Sequence, residues 1–186
     1  MTLRHELQSC TKCEWLVPGR KNIIMAEGIC PTDIMFLCGS PKDREDIQNK
    51  PFAGLSGKFF RSATEYIYNK HFRISYLCTV MCKTPKREAS DTEISNCRSN
   101  ILKQIRLFDP KVIVALGKTA QAFVLNCPLE KTSHSLVGTL SEFKLKDKTI
   151  PVIITFDPQQ VLKDRPKLES IFVRHLRAAI KLTFTS

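Results

Sequence analysis

Four cysteines constrain this chain more than any other feature. Cys10 and Cys13 form a Cys-x-x-Cys pair, Cys82 stands in Val80-Met81-Cys82-Lys83-Thr84-Pro85, and Cys97 follows after fourteen intervening residues. Two thiolates two residues apart chelate one metal centre but leave it half-coordinated, so the remaining ligands must come from elsewhere. Thiolates grouped two and two hold either a tetrahedral zinc or a 4Fe–4S cluster. The stretch from Cys13 to Cys82 is too long for a local finger. A metal here would tie the N-terminus to the middle of a larger domain.

A chain of 186 residues fits one domain, 1–186, with a sizeable core. Its hydrophobic content of 42% and charged content of 25% are ordinary for a globular protein. No apolar run is long enough to span a bilayer and Met1–Glu6 is no signal peptide, so an intracellular protein without a membrane partner is expected. Eight cysteines in a reducing compartment argue for metal ligation over disulfides. Outside the quartet, Cys30, Cys38 and Cys127 read as buried small hydrophobes. With 29 Lys+Arg against 18 Asp+Glu the net charge is +11. That favours a polyanionic partner, nucleic acid first, although a generic basic surface has the same composition.

Read in order, strands and helices alternate. Asp33-Ile34-Met35-Phe36-Leu37-Cys38 is a short apolar run ended by Gly39-Ser40-Pro41, which reads as a buried strand and loop. Residues 43–57 are polar and read as a long loop. Phe59, Phe60, Ala63 and Ile67 have helical spacing, and 74–81 reads as a second strand. Ser90-Asp91-Thr92-Glu93 is a capping box that opens a helix carrying Ile94, Cys97, Ile101 and Ile105 on one face. Val112–Leu116 is a third strand and 152–156 a fourth; 131–148 reads as polar, with a hairpin as one option. Leu168, Ile171, Phe172, Leu176 and Ala179 mark a C-terminal amphipathic helix. This alternation predicts an α/β fold in three layers, α/β/α, around a mainly parallel four-stranded sheet. The ligand rim of such a sheet lies at the strand carboxyl ends. That puts Gly39, Ser40, Pro41, Cys78 and Asp157 on one rim.

Together these motifs resemble the iron–sulfur, family 4 type of the uracil-DNA glycosylase superfamily. Cys-x-x-Cys is followed by Arg20, Gly28 and Asp33-Ile34-Met35-Phe36, then Glu45-Asp46. Pro51-Phe52-Ala53-Gly54-Leu55-Ser56-Gly57 is similar to the family's P-F-x-G-x-x-G loop, and Pro110-Lys111-Val112-Ile113-Val114-Ala115-Leu116-Gly117 to its P-K-V-I-V-A-L-G strand. The resemblance runs from Cys10 to about Leu162. It implies a uracil-DNA glycosylase-like fold and a 4Fe–4S cluster on Cys10, Cys13, Cys82 and Cys97, with zinc the runner-up. It also implies DNA as partner, and a flipped base stacked on Phe52.

Three expected pocket residues are replaced. Gly39 stands where the resemblance implies a glutamate, Cys78 where it implies a base-reading asparagine, and Asp157 where it implies the histidine of H-P-S. Departure of a base leaves negative charge on it, which a histidine N–H stabilises and an ionised aspartate opposes unless it is protonated. Replacing Asn by Cys removes a paired donor and acceptor from the base edge. Two readings follow. One is a glycosylase of altered specificity, with Asp157 facing the base, Asp43 or Asp46 positioning water, and Gly39, Pro41, Phe52 and Cys78 lining the base pocket. The other is a degenerate glycosylase fold serving as a DNA- or protein-binding accessory factor in replication or repair. Backbone phosphates are expected to meet Lys42, Lys58, Lys86, Arg87, His134 and Lys163. A monomer, in the cytoplasm or at the nucleoid, is expected; a substituted pocket on an intact scaffold suits a viral as well as a cellular source.

Overall fold

Residues 34–38, 74–78, 112–116 and 149–155 are continuous apolar runs because both their faces are covered. In the computed structural model, which describes residues 3–85 and 87–184, they form the centre of one sheet. Its strands are β1 (Glu27–Gly28), β2 (Ile34–Cys38), β3 (Ile74–Cys78), β4 (Val112–Leu116), β5 (Leu140–Lys144) and β6 (Thr149–Thr155). Their order is β1-β3-β2-β4-β6-β5, with β3, β2, β4 and β6 parallel and the two edge strands antiparallel. The sheet therefore has six strands rather than the four expected. β1 is only two residues long, and β5 buries only Phe143 on its inner face, so neither yields an apolar run.

The helices are α1 (Leu3–Gln8), α2 (Asp43–Gln48), α3 (Leu55–Tyr68), α4 (Asp91–Phe108), α5 (Gly117–Leu125), α6 (Pro158–Lys163) and α7 (Arg165–Leu182). One face of the sheet packs Leu37, Leu77 and Ala115 against Ile101 and Ile105 of α4 and Phe123 of α5, together with the N-terminal segment. The other face packs Phe36, Val114 and Ile153 against α3, α6 and α7. Phe36 centres an aromatic cluster there, with ring centroids 5.0 Å from Phe60 and 5.6 Å from both Tyr68 and Tyr76. Such pairs add to the burial of the rings themselves. The result is the three-layer α/β/α arrangement.

The chain leaves β2 for β3 on one side, then crosses back to β4 on the other. The order reverses between β2 and β4, and a crevice opens at the carboxyl ends of such neighbours. Part of 43–57, expected as a loop, forms the short helix α2. Its first turn is held by Glu45, which accepts the Lys42 N–H at 3.1 Å. Asp46 is buried and accepts N–H groups of Lys21 and Asn22 at 2.9–3.0 Å. Asp46 thus pins a backbone loop, and is spoken for as a positioner of water.

The turn from α2 into α3 is set by two residues. Phe52 has a left-handed backbone, φ 56°, which is uncommon outside glycine and carries strain. A Cβ on Gly57 would lie 2.3 Å from the Phe52 carbonyl carbon, so only glycine lets α3 start this close to the loop. Gly57→Ala should lower stability by about 1–3 kcal/mol, read as an earlier midpoint in denaturant unfolding. An unchanged midpoint would mean that the loop yields freely.

Candidate active site and metal centre

Cys10 and Cys13 follow α1, Cys82 lies four residues beyond the end of β3, and Cys97 sits in the second turn of α4. The fold brings all four together. Cys13, Cys82 and Cys97 each feel the charge of others of the quartet. Every sulfur has an N–H group directed at it. Arg20 donates to Cys82 Sγ at 3.0 Å and Asn100 to Cys10 Sγ at 3.3 Å. The Met81 N–H lies 3.4 Å from Cys97 Sγ and the Asn96 amide 3.6 Å from Cys13 Sγ. Arg20 also donates to the Cys10 carbonyl at 2.6 Å, so one guanidinium ties the two halves of the set. Burial raises the thiols of Cys13 and Cys82 and pushes Cys97 up to about 12. Without a cation these thiols stay protonated; with one, the directed N–H groups suit electron-rich thiolates. Among the described residues, no three His, Cys, Asp or Glu side chains converge as a single ion requires.

The other cysteines correct the reading as buried hydrophobes. Cys30 is exposed and its thiol donates to the Leu107 carbonyl at 3.0 Å, while Cys38 and Cys127 are half-buried.

Next to the quartet, Glu93 is fully buried at the start of α4. It accepts from Trp15 Nε1 at 2.8 Å, from the Ser90 N–H at 2.8 Å, and from both terminal nitrogens of Arg87 at 2.6 and 2.9 Å. Burial pushes its carboxyl up, but Arg87, Trp15 and the Ser90 N–H outweigh burial and hold it down at about 2. Trp15 follows the first cysteine pair and Arg87 follows Cys82. One carboxylate therefore joins the cysteine quartet to the loop beside the cleft, so Arg87 has a structural partner as well as a place at the rim.

The cleft itself, about 720 Å³, opens at the carboxyl ends of β2, β4 and β6. Gly39, Pro41, Phe52, Cys78, Asp157, Lys42, Arg87, His134 and Lys163 all line it. Phe52 is 7% exposed and packs on Phe60 at 4.8 Å and Tyr76 at 5.4 Å. Lys42 Nζ donates to the Arg87 carbonyl at 3.0 Å and lies 3.4 Å from the hydroxyls of Ser40 and Thr84. Asp157 caps α6: its Oδ1 accepts the Gln159 N–H at 2.7 Å. Oδ2 lies toward Gly117, where an added Cβ would be 2.9 Å from Asp157 Cβ; glycine with φ 79° is what lets β4 and α6 meet here. Burial raises the Asp157 carboxyl above the usual range, against the pull of the Gln159 N–H, Lys42 and Lys163.

Two expected residues do not reach the cleft. Asp43 points away, 75% exposed, and pairs with Lys83 at 3.2 Å. Lys58 is exposed on the first turn of α3 and does not line the cleft. Lys86 lies outside the described residues. Glu45 and Lys118 are among the lining residues that were not singled out for the site from the sequence. Glu45 follows directly from the acidic pair already noted, and accepts the Gly54 N–H at 2.8 Å, bracing the Phe52 loop. Lys118 follows Gly117 at the carboxyl end of β4, which the rim rule alone would have found.

A model of the uracil DNA glycosylase superfamily matches residues 27–181. The chain belongs to the uracil DNA glycosylase superfamily. It is 33% identical to the type-4 uracil-DNA glycosylase of Thermotoga maritima, over 86% of this chain and 81% of that one. It is 28% identical to the type-4 enzyme of Sulfurisphaera tokodaii, over 98% and 84%. The corresponding protein of Archaeoglobus fulgidus is 30% identical, over 88% and 82%. The chain is a divergent member of this type, with Gly39, Cys78 and Asp157 in its cleft.

The Glu93 network makes a pH-dependent prediction. A carboxyl held low stabilises the fold fully above its unfolded value of 4.5, and that contribution is lost as pH falls through about 2. Glu93→Gln should cost about 2 kcal/mol at neutral pH by leaving Arg87 and Trp15 poorly paired. The gap between variant and parent in thermal unfolding should narrow as pH drops below 4.5. A constant gap would mean that the charge of Glu93 contributes nothing.

Proposed function

We propose that this protein is a DNA glycosylase that receives a flipped base in the cleft, hydrolyses its N-glycosidic bond, and accepts a base other than, or in addition to, uracil. One observation carries the reading. Phe52 is kept in a strained backbone conformation at the cleft wall, braced by Glu45 and Gly57, together with a half-buried carboxyl at Asp157 that desolvation shifts upward. Strain of this kind is retained where a residue has a task. The kinship with type-4 uracil-DNA glycosylases supplies the reaction class and DNA as substrate.

In this reading water adds to C1′ of the deoxyribose as the bond to the base breaks, and the base leaves with the electron pair. Protonated Asp157 donates a hydrogen bond to the departing base and stabilises its negative charge; ionised, it opposes departure. Glu45 lines the cleft and takes the place of Asp43: its two oxygens accept the Lys42 and Gly54 N–H groups, and a remaining lone pair would hold the water. The thiols of Cys38 and Cys78 meet the base edge. A thiol is a weak donor and a poor acceptor, so the pocket discriminates less sharply for a uracil edge than an amide does. Lys42, Lys118, Arg87 and Lys163 set a positive rim against the phosphates on either side of the flipped nucleotide.

Cys10, Cys13, Cys82 and Cys97 would hold a 4Fe–4S cluster. Their directed N–H groups suit the electron-rich sulfurs of such a cluster, and the kinship with type-4 uracil-DNA glycosylases favours it over zinc. Its task is to hold the segment between Cys82 and Cys97 against the N-terminus; the chemistry at the base uses none of it.

The test is base release. Single- and double-stranded oligonucleotides carrying uracil, hypoxanthine or 5-hydroxymethyluracil are incubated with the protein, and abasic sites are cleaved with alkali. Cleavage at one of these bases is expected, faster at acid pH and declining as Asp157 ionises. Asp157→Asn should flatten that pH profile, because an amide donates at every pH, and Asp157→Ala should lower the rate about 10²–10³-fold. No release with protein in excess, alongside salt-dependent DNA binding, would refute the enzyme and leave a DNA-binding accessory factor. Lys118→Ala and Lys163→Ala should each weaken binding to any sequence and reduce the salt slope by about 1; an unaltered slope would remove them from the rim.

A further inference from the structure

Two cysteines outside the quartet sit side by side in the cleft. Cys38 ends β2 and Cys78 ends β3, and the two are paired residues in the parallel register of those strands. Their sulfurs are 3.3 Å apart, and both residues line the cleft. Cys78 is 1% exposed, whereas Cys38 is half-buried and is the one a small molecule reaches first. The strand ends are fixed: the Thr79 N–H and hydroxyl donate to the Cys38 carbonyl at 2.9 and 2.8 Å. Neighbouring strands lie about 4.8 Å apart. That separation falls at the short end of the roughly 4.4–6.8 Å over which two Cα atoms accept a disulfide. A bridge therefore needs no rearrangement of the sheet, and its tight span makes it readily reduced, as labile disulfides are.

We propose that Cys38 and Cys78 form a reversible dithiol–disulfide site in the floor of the cleft, oxidised by small disulfides such as glutathione disulfide, and that oxidation closes the floor to a base. The exchange balances without any other reactant. The Cys38 thiolate attacks one sulfur of the small disulfide, whose S–S bond breaks and whose other half leaves as a thiol. The Cys78 thiolate then attacks Cys38 Sγ, forming the Cys38–Cys78 bond and releasing the second small thiol. Two protein thiols are oxidised and one small disulfide is reduced; excess small thiol reverses both steps. The hydrogen bond to Cys78 raises the Cys38 thiol, and burial and the charges of Cys78 and Asp157 act the same way, so the exchange is slow at neutral pH and quickens as pH rises. The bridge forms whatever the protein does to DNA. Its consequence for base binding rests on the glycosylase reading, because it removes the two S–H groups that meet the base edge.

The full-length protein, purified with its metal centre intact, is treated with glutathione disulfide. Free thiols are then alkylated under denaturing conditions, and tryptic peptides spanning 22–42 and 74–83 are sequenced by fragmentation. The expected product is a linked pair joined between Cys38 and Cys78, lighter by two hydrogens than the separate peptides and lost on treatment with dithiothreitol. In Cys78→Ser the same treatment should stop at a glutathione adduct on Cys38. A glutathione adduct on Cys38 of the parent protein with Cys78 alkylated, a bridge from Cys78 to Cys82, or both cysteines alkylated would overturn the site. For the second part, anisotropy binding to an oligonucleotide with a central 2′-fluoro-2′-deoxyuridine, whose glycosidic bond resists hydrolysis, is compared before and after oxidation. About tenfold weaker binding is expected for the parent protein and no change for Cys38→Ser. If the bridge forms and this binding is unchanged in the parent, the closure of the floor is refuted. Base release by the reduced protein is scored separately, so a failure of the glycosylase reading is told apart from a failure of the bridge.

Discussion

The convergence of four thiols on directed N–H groups is the constraint on which the rest of the molecule depends. The N-terminal segment makes little regular structure of its own: one turn and a half of helix, a Cys-x-x-Cys turn and a loop. It is held through Arg20, which bridges Cys82 and the Cys10 carbonyl, and through Trp15, which reaches the buried Glu93. Glu93 in turn fixes Arg87, and the Arg87 carbonyl accepts from Lys42. This chain of contacts runs from the thiol set to the mouth of the cleft without a break. A metal cluster at one end would therefore stiffen the loop at the mouth of the cleft at the other.

The cleft has a different origin. It exists because the strand order reverses between β2 and β4, and its walls are the loops that leave those strands. Two glycines shape it through close approach: Gly57 under Phe52 and Gly117 against Asp157. What has changed relative to the resembled pattern is the chemistry on these walls, with a thiol pair and a half-buried carboxyl where amide, carboxylate and imidazole groups are implied. In the proposed reaction, the upward shift of the Asp157 carboxyl would let it act partly as the donor that the implied histidine supplies. A glycine at position 39, by contrast, supplies no group, and an added Cβ there would meet Thr119 at 3.4 Å.

Much of this was legible in the residues. The four central strands are apolar along their length because helices cover both faces, so each announces itself. The Ser90 capping box and the inward placement of Cys97 follow from local chemistry and helical period. β5 was hard to read because an edge strand buries one side chain, Phe143, and shows alternation too weak to stand out. The helix α2 hid behind acidic residues whose partners, the Lys42 and Gly54 N–H groups and the loop at Lys21, become neighbours only in three dimensions. For the same reason Asp43 and Asp46 could not be told apart as solvent-facing and buried. The pairing of Cys38 with Cys78 depends on strand order, which no local pattern carries.

The claim that binds these parts is that Cys10, Cys13, Cys82 and Cys97 carry an iron–sulfur cluster that shapes the cleft's rim. Iron and acid-labile sulfide determined on protein purified without oxygen test it most directly, with hydrogen exchange of residues 82–97 followed before and after chelation of the iron. The account predicts four iron and four sulfide per chain, and a marked gain in exchange across 82–97 and the Lys42 loop once the iron is removed. Stoichiometric zinc without sulfide, or exchange that does not alter when iron is removed, would contradict it.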